Sequence, residues 1–414
     1  MTGRLVKVIG LLLLLLATVS CRSNTAEDEI NGRVTLWHGW SAEEAFVLGE
    51  ALSQFQEINP DVRIISVAIP QDQILNEFHK AGEDGLGPDL LIGKDSWIGE
   101  LAESGLIRPL SPDEIPPSLI DLRNRSLTQY QDQFFGIPMS LAPRALYYNK
   151  RLVSKPPASL DELLQEWAAG NQVAFVPRFE EAYWGIQAFG EGLFDEQNRF
   201  TLAESGFTEW LSWLDEVQSA PGVILNVDDE SLLELFATEQ IAYYVAGPDK
   251  QALISELMDQ ENPFEFGIAS LPGGPQGAGG PLLPAETLLL YAFASPEQTR
   301  IASDLAAFLV NQQQSIRFMR DLGRVPANPA VQVDQRIYPL VNGFSQQANT
   351  AVVIPNEIPS DPFFAAGDRA YVSTLSGLLA PEEAVCNFGQ EVAAILGYTS
   401  REMSLPYGCN ASTK

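Results

Sequence analysis

The sequence predicts an α/β protein built as two lobes, each with a mixed, mostly parallel sheet flanked by helices. Strand-like and helix-like runs alternate from residue 33 onward, which is typical of crossover units on such a sheet. The same alternation starts again at residue 145. The chain has 414 residues. Because a single hydrophobic core stops growing at roughly 250–300 residues, we expect two cores.

The N-terminus has the layout of a secretory signal peptide over residues 1–20. Arg4 and Lys7 come first, a short leucine-rich apolar run follows, and small residues lead to Cys21. The run is shorter than the roughly 20 apolar residues of a membrane-spanning helix. Residues 18–21, Thr-Val-Ser-Cys, resemble a bacterial lipobox, although threonine replaces the usual leucine. We expect an exported protein, lipid-anchored through Cys21 at the periplasmic or extracytoplasmic face of a membrane. An ordinary signal with an incidental cysteine is the alternative.

The composition is that of a well-packed protein with many turns: 45% of residues are apolar, and there are 28 prolines and 32 glycines. Removing residues 1–20 leaves 394 residues with 23 basic and 54 acidic side chains, a net charge of −31. This charge argues against binding nucleic acid, whose affinity depends on neutralising phosphates. It also disfavours lying on anionic lipid, so we expect membrane contact through the lipid anchor alone.

The first lobe follows a tether. Residues 21–32 comprise the candidate lipidated cysteine and a polar stretch that we interpret as flexible. Ser41 with Glu44 three residues later forms a capping-box pattern, and the apolar positions after it have helical spacing. The other predicted elements here are strands at 33–37, 62–69 and 89–92 and a helix at 74–80.

The later part of the chain repeats this alternation. Ser295 and Gln298 predict a second capped helix, with a proline in its first turn. Residues 271–281 predict a loop, because their glycines and prolines suit neither a helix nor a strand ladder. The remaining predicted elements are strands at 145–149, 172–176 and 241–246 and helices at 160–167, 204–218 and 229–237.

Two cysteines remain once Cys21 is assigned to the signal. Cys386 and Cys409 form an even pair near the C-terminus, and in an oxidising exterior they predict one disulfide that fastens the tail to the helix before it. Two buried free thiols are the alternative. Two distant cysteines and two histidines supply no metal-ligand cluster, so we expect no metal site and no cofactor.

Short motifs run in a fixed order from residue 33 to about 395. The most distinctive is Ala145–Lys150 (ALYYNK). The others are Val34–His38 (VTLWH), Phe55–Pro60 (FQEINP), Gly87–Leu91 (GPDLL), Gly105–Leu110 (GLIRPL), Phe135–Pro138 (FGIP), Phe266–Pro275 (FGIASLPGGP), Ile354–Asn356 (IPN) and Pro362–Phe364 (PFF). Together, behind a lipoprotein-like signal, they resemble the extracellular solute-binding proteins of ABC importers, specifically the maltose-binding or sugar-binding group (family 1).

The resemblance implies a two-lobed, type II-like periplasmic-binding-protein fold with a hinge. It places the N-terminal lobe at 33–139 plus 288–325, and the C-terminal lobe at 140–287 plus 326–409. The chain would then cross between the lobes near residues 138–141, 283–288 and 324–328. Thin crossings of this kind can rotate through a few dihedral angles while each core stays packed.

Candidate ligand contacts of the first lobe follow its strands. Ligands of open α/β sheets bind beyond the C-terminal strand ends, where Trp37 and Trp40 stand. Sugars suit aromatic faces combined with a few polar groups. The alternative is that one tryptophan plugs the core. The resemblance adds Asp95 and Trp97 after the third strand, for which a helix cap and a packing tryptophan are the alternatives.

The second lobe supplies the opposite side of the expected site. The resemblance implies an acidic and aromatic cluster at Glu181, Tyr183 and Trp184, and an aromatic platform at Phe363 and Phe364.

Two departures from the family pattern bear on the cargo. The family often continues Gly-Pro with tryptophan, whereas Asp249 follows Gly247 and Pro248 here. Ala142 and Pro143 stand where related proteins can supply a carboxylate. These departures argue against maltodextrin and favour a smaller sugar or a sugar-like osmolyte.

Three other functions compete with this interpretation. A secreted glycosidase needs two positioned carboxylates, and no motif marks such a pair. The tyrosine pairs at 147–148 and 243–244 are the kind that ferric-ion-binding relatives use, although adjacent residues on a strand point to opposite faces. The acidity leaves room for a polyamine or a peptide.

The predicted function is therefore that of a lipid-anchored, monomeric receptor without enzymatic activity. It would capture a sugar between two closing lobes and deliver it to the transmembrane subunits of an ABC permease.

Overall fold

The computed structural model describes residues 30–195 and 197–398 together with Cys409. The predicted signal peptide, Cys21 and the tether up to residue 29 lie outside the described residues. Within the part that is described, no helix is long and apolar enough to cross a membrane.

The strands begin and end close to the sequence pattern. In chain order they are β1 (Gly32–His38), β2 (Val62–Ala68), β3 (Leu90–Lys94), β4 (Gln129–Tyr130), β5 (Gln133–Phe134), β6 (Ile137–Leu141), β7 (Ala145–Asn149), β8 (Val173–Phe175), β9 (Val223–Leu225), β10 (Tyr243–Ala246), β11 (Phe266–Ala269), β12 (Ala285–Leu290) and β13 (Val325–Pro326).

Helices fill most of the intervals between the strands. They are α1 (Ala42–Ile58), α2 (Ile74–Glu83), α3 (Ile98–Glu103), α4 (Leu122–Thr128), α5 (Leu160–Ala168), α6 (Phe179–Ala182), α7 (Ile186–Phe189), α8 (Phe207–Val217), α9 (Asp229–Ala237), α10 (Lys250–Leu257), α11 (Pro296–Leu309), α12 (Gln312–Leu322), α13 (Pro339–Gln347), α14 (Ser360–Leu375) and α15 (Pro381–Leu396).

Both predicted capping boxes are confirmed. The Ser41 side chain accepts a hydrogen bond from the Glu44 backbone N–H, the Glu44 side chain accepts one from the Ser41 N–H, and α1 begins there. Ser295 and Gln298 do the same at the start of α11. Each arrangement satisfies backbone donors that the first turn of a helix leaves free.

The strands form two sheets, one for each lobe. The larger has the order β13-β6-β12-β3-β1-β2 and the smaller has the order β11-β7-β10-β8-β9. Parallel pairing links β1 to β2 and β3, and β8 to β9 and β10. The other neighbours in these two sheets are antiparallel. The sheets are thus mixed as predicted, but "mostly parallel" was wrong, because the strands next to the lobe crossings enter in the opposite direction.

The chain passes between the sheets through β6, β12 and β13, which lie side by side in the larger sheet. Met139 packs in the first lobe's core, whereas Leu141, two residues later, packs with the second. On β12, likewise, Leu288 packs in the first lobe's core and Ala285 packs with the second. The predicted divisions at 139/140, 287/288 and 325/326 pass through these strands, and the exact division into lobes stays a prediction.

A disulfide joins Cys386 on α15 to Cys409, with the two Cα atoms 5.4 Å apart. This is the pairing that the sequence led us to expect. It fixes Cys409 against the last helix of the second lobe.

Candidate functional site

Trp40 is a core residue. Its side chain is 6% exposed, and its ring packs edge-on against Phe318 with the centroids 5.5 Å apart. The indole Nε1 donates a hydrogen bond to Glu286 Oε1 at 2.5 Å, and the Arg324 guanidinium lies 4.0 Å from the ring centroid. Its assignment as a ligand contact is therefore corrected: Trp40 is the tryptophan that plugs the core beneath the loop.

A partly buried ionic cluster surrounds Trp40. The helix α12 ends at Gly323, whose φ of 66° suits glycine at a helix C-terminus, and the next residue is Arg324. Arg324 binds Glu286 on β12, and its Nη2 donates to Glu44 Oε1 at 2.8 Å. Burial raises the pKa of Glu286, although the Arg324 charge opposes the rise. The cluster links α1 to two of the strands that cross between the lobes.

Trp37 and Trp97 remain partly exposed and flank the same face of the first lobe. Both pack against the apolar cluster that contains Ile74, Phe78 and Leu91. Trp97 lies directly over Gly93, where a Cβ atom would stand 2.8 Å from the ring. Both indoles, near the C-terminal ends of β1 and β3, thus keep some exposed surface, and their roles as ligand contacts stay predictions.

The Asp95 carboxylate accepts hydrogen bonds from backbone N–H groups. Its Oδ1 accepts a hydrogen bond from the Ala285 N–H at 2.9 Å, where β12 begins. The carboxylate also receives the backbone N–H of Ser96. Burial, reinforced by the charge of Glu180, raises the pKa of Asp95 to about 7. The alternative of a backbone cap therefore fits Asp95 better than a free ligand contact.

On the second lobe, Arg144 and Glu181 form an ion pair. Arg144 Nη2 lies 3.2 Å from Glu181 Oε1, and the two side chains are 22% and 21% exposed. Burial raises the pKa of Glu181; Arg144 lowers it and Glu180 raises it further. Glu181 had been predicted, whereas Arg144 and Glu180 had not. A charged residue directly after Pro143, between two buried strands, was the available signal for Arg144.

Three predicted aromatic contacts are buried instead. Tyr183 and Phe363 are 0% exposed and Trp184 is 1% exposed, all within the second lobe's main core. Their rings pack against Phe179 or Phe175 at centroid distances of 5.3 to 5.8 Å. A side chain with no free face cannot stack on a ligand, so these assignments are corrected. Phe364 remains partly exposed beside this core and stays a candidate.

The tyrosine pairs are structural. Tyr147 and Tyr244 are opposed across β7 and β10, as are Tyr148 and Tyr243. The Tyr147 hydroxyl donates to the Gly247 carbonyl at 2.7 Å, and the Tyr244 hydroxyl donates to Asp229 at 2.5 Å. Burial raises the pKa of both. Ferric ion binds tyrosinates, which this environment disfavours. Across the described ranges, no three His, Cys, Asp or Glu side chains converge as a metal site would require.

The two sets of candidate residues face each other between the lobes. Glu180 on α6 is near enough for its charge to act on Asp95, which follows β3. The Ser360 hydroxyl, at the start of α14, donates to the Ser96 carbonyl at 3.0 Å. The helix α14 also carries Phe364, four residues after Ser360.

A family model described as bacterial extracellular solute-binding protein matches residues 50–338. The chain belongs to this family. The match covers the whole smaller sheet, five of the six strands of the larger sheet and the three crossings. The family's name also identifies it as an exported protein.

Individual relatives agree with this membership. The chain is 25% identical to the maltotriose-binding protein of Pyrococcus abyssi over 346 residues, which is 78% of this chain and 73% of that protein. It is 22% identical to the galactooligosaccharide-binding protein of Bacillus subtilis over 388 residues, or 88% and 89% of the two chains. These relatives are named as binding proteins.

Solved structures support the fold. The maltose-maltodextrin binding protein of Alicyclobacillus acidocaldarius superimposes with a TM-score of 0.74 at 22% identity, covering 87% of this chain and all of that one. The two-lobed α/β architecture of this solute-binding protein is therefore confirmed.

Proposed function

We propose that this protein is the substrate-binding component of an ABC importer that captures a sugar between its lobes. One observation carries the proposal: Ser96, next to the partly exposed Trp97, is hydrogen-bonded to Ser360 at the start of the helix that carries Phe364. Aromatic faces cover the apolar faces of a sugar ring, and fixed charged groups bind its hydroxyls. Ligand that touches both surfaces at once favours the closed arrangement of the lobes.

The cargo is proposed to be a sugar of modest length. Relatives are named for maltotriose and galactooligosaccharide, which supports an oligosaccharide. Apart from Trp37 and Trp97, five aromatic rings were predicted for the site; four of them are buried, and Phe364 is the partly exposed one. Fewer platforms favour a ligand with fewer rings. The guanidinium of Arg144 also makes the site unfavourable for a polyamine.

Delivery and anchoring complete the proposal. We propose that a lipid on Cys21 holds the protein at the outer face of the membrane, where it passes its sugar to permease subunits without chemical change. Mass spectrometry of the mature N-terminus tests for the lipid on Cys21. As a second test, Cys21→Ser should release the protein from the membrane fraction. Incubation with candidate glycosides tests the absence of catalysis.

A panel of sugars tests the binding function. Thermal shift identifies the ligand, because a ligand that binds only the native state raises the melting temperature by mass action. Calorimetry then gives the affinity. Trp97→Ala should weaken it by about tenfold, since a stacked ring contributes on the order of 0.5–1.5 kcal/mol beyond its buried area.

Trp213→Ala is the matched control. Trp213 is also partly buried, but it packs against Trp210 on α8 of the second lobe. It should lower stability and leave affinity unchanged. An absence of binding to every mono-, di- and oligosaccharide would refute the proposed function.

A further inference from the structure

The short turn Asp95–Trp97 is attached to a lobe crossing. It begins directly after β3, and it carries Trp97. The Asp95 carboxylate accepts the N–H of Ala285 at 2.9 Å. Ala285 is the first residue of β12, and it packs with the second core although its strand belongs to the first sheet. The turn is therefore attached by a hydrogen bond to the point where the chain re-enters the first lobe.

The second lobe holds the same turn from another side. Ser360 Oγ donates to the carbonyl of Ser96 at 3.0 Å. The Asn356 carbonyl lies so close to Gly99 that a Cβ there would not fit. Asn356 also donates through Nδ2 to the Leu127 carbonyl at 3.1 Å, which fixes its own position against the first lobe.

The charge of Glu180 also acts on this turn. Glu180 of the second lobe is the charged group that acts on Asp95 across the interface. Two carboxylates of like charge oppose close approach of the lobes unless one is hydrogen-bonded or neutral. The Ala285 and Ser96 N–H groups supply such hydrogen bonds to Asp95.

We propose that Asp95 is a positioning residue for ligand capture: its carboxylate fastens the turn that carries Trp97 to the start of β12. Rotation at this crossing then changes the placement of the indole, so closure and stacking are coupled through one side chain. This inference rests on the proposed function for its ligand, but the attachment of the turn to Ala285 is a property of the protein alone.

Asp95→Asn and Asp95→Ala separate the contribution of the hydrogen bond from that of the charge. The asparagine keeps an oxygen that can accept the Ala285 N–H, so sugar affinity should stay within about twofold of the parent, whereas alanine should weaken it about tenfold because a buried donor loses its partner. Equal affinity of the alanine variant and the parent would overturn the proposal.

A double-mutant cycle with Trp97→Ala tests whether Asp95 acts through the indole. Residues that act through one another give non-additive losses. Once Trp97 is absent, Asp95→Ala should cost little further affinity. Independent, additive losses would instead make Asp95 a direct ligand contact and would overturn the positioning role.

Amide hydrogen exchange at Ala285 keeps the test independent of any ligand. Protection should be high in the parent and in Asp95→Asn, and it should fall at least about tenfold in Asp95→Ala, since exchange of that amide requires opening of its hydrogen bond. Unchanged protection in the alanine variant refutes the attachment. If no sugar binds the parent, the proposed function fails while this result still decides the attachment.

Discussion

At the scale of single residues, the exposure of a side chain separates structural tryptophans from available ones. Trp40 and Trp37 are three residues apart in sequence, yet Trp40 is buried with Arg324 over its ring and Trp37 stays partly exposed. The strand β1 alternates its side chains between two faces of a sheet, and the loop after it turns Trp40 back into the core.

Trp40→Ala should therefore reduce the free energy of unfolding by about 3–5 kcal/mol, the usual loss for a buried aromatic. Urea denaturation measures it. Trp97→Ala, with a partly exposed ring, should cost less stability but more affinity. A Trp40 variant as stable as the parent would contradict the core assignment.

Asp95 makes stability depend on pH in a predictable direction. Its pKa rises from 3.8 to about 7 on folding, because of burial and of the facing Glu180 charge. Between these values the native state binds a proton that the unfolded chain has released, so the free energy of unfolding falls as pH increases through this window. Asp95→Asn removes that contribution. Urea denaturation should show the variant gaining stability relative to the parent from about pH 4 to about pH 7. Parallel curves would contradict the raised pKa.

At the scale of elements, the helix starts that a local sequence pattern marks were the most predictable features. Capping boxes at Ser41 and Ser295 depend on side chains three residues apart, so the sequence alone locates where α1 and α11 begin. Burial of Tyr183, Trp184 and Phe363 could not be predicted in this way. It depends on which helices meet in the second lobe, and that is decided by contacts between residues nearly two hundred positions apart.

The disulfide belongs to this scale, since it fastens one segment to one helix. Its cysteines are 23 residues apart, and a closed loop of that length restricts the unfolded chain by about 3 kcal/mol in the chain-entropy model. Replacing both cysteines by serine should lower the melting temperature while sugar affinity stays unchanged. Reducing agent should affect the parent alone. An equal effect of reducing agent on the serine variant would contradict the assignment.

At the scale of the whole molecule, the crossings between the lobes stay predictions, and the ionic cluster beside them was not predicted. The motif order placed the crossings near residues 138–141, 283–288 and 324–328, where β6, β12 and β13 lie. The meeting of Glu44, Glu286 and Arg324 involves residues up to 280 positions apart, so no local pattern marks it. The pairing of Arg144 with Glu181 spans 37 positions, so the sequence marked Arg144 only as a charged residue after Pro143 and did not mark its partner.

Arg324→Met should reduce the free energy of unfolding by about 3 kcal/mol, the low end of the cost of breaking a buried ion pair, because it leaves the partly buried carboxylate of Glu286 without its cationic partner. Adding Glu286→Gln removes that charge and should restore part of the loss. Chemical denaturation of the single and double variants measures both effects. A double variant no more stable than Arg324→Met would show that the pair does not act as a unit.

The neighbouring positions of β13, β6 and β12 in one sheet have a consequence for measuring this protein. Because neighbouring strands of one sheet carry the crossings, we expect the lobes to move by bending across these strands rather than by sliding. A single pair of fluorescent dyes, one on each lobe, would then read nearly the entire motion as one distance. The same feature makes the molecule a suitable scaffold for an optical sensor of its cargo.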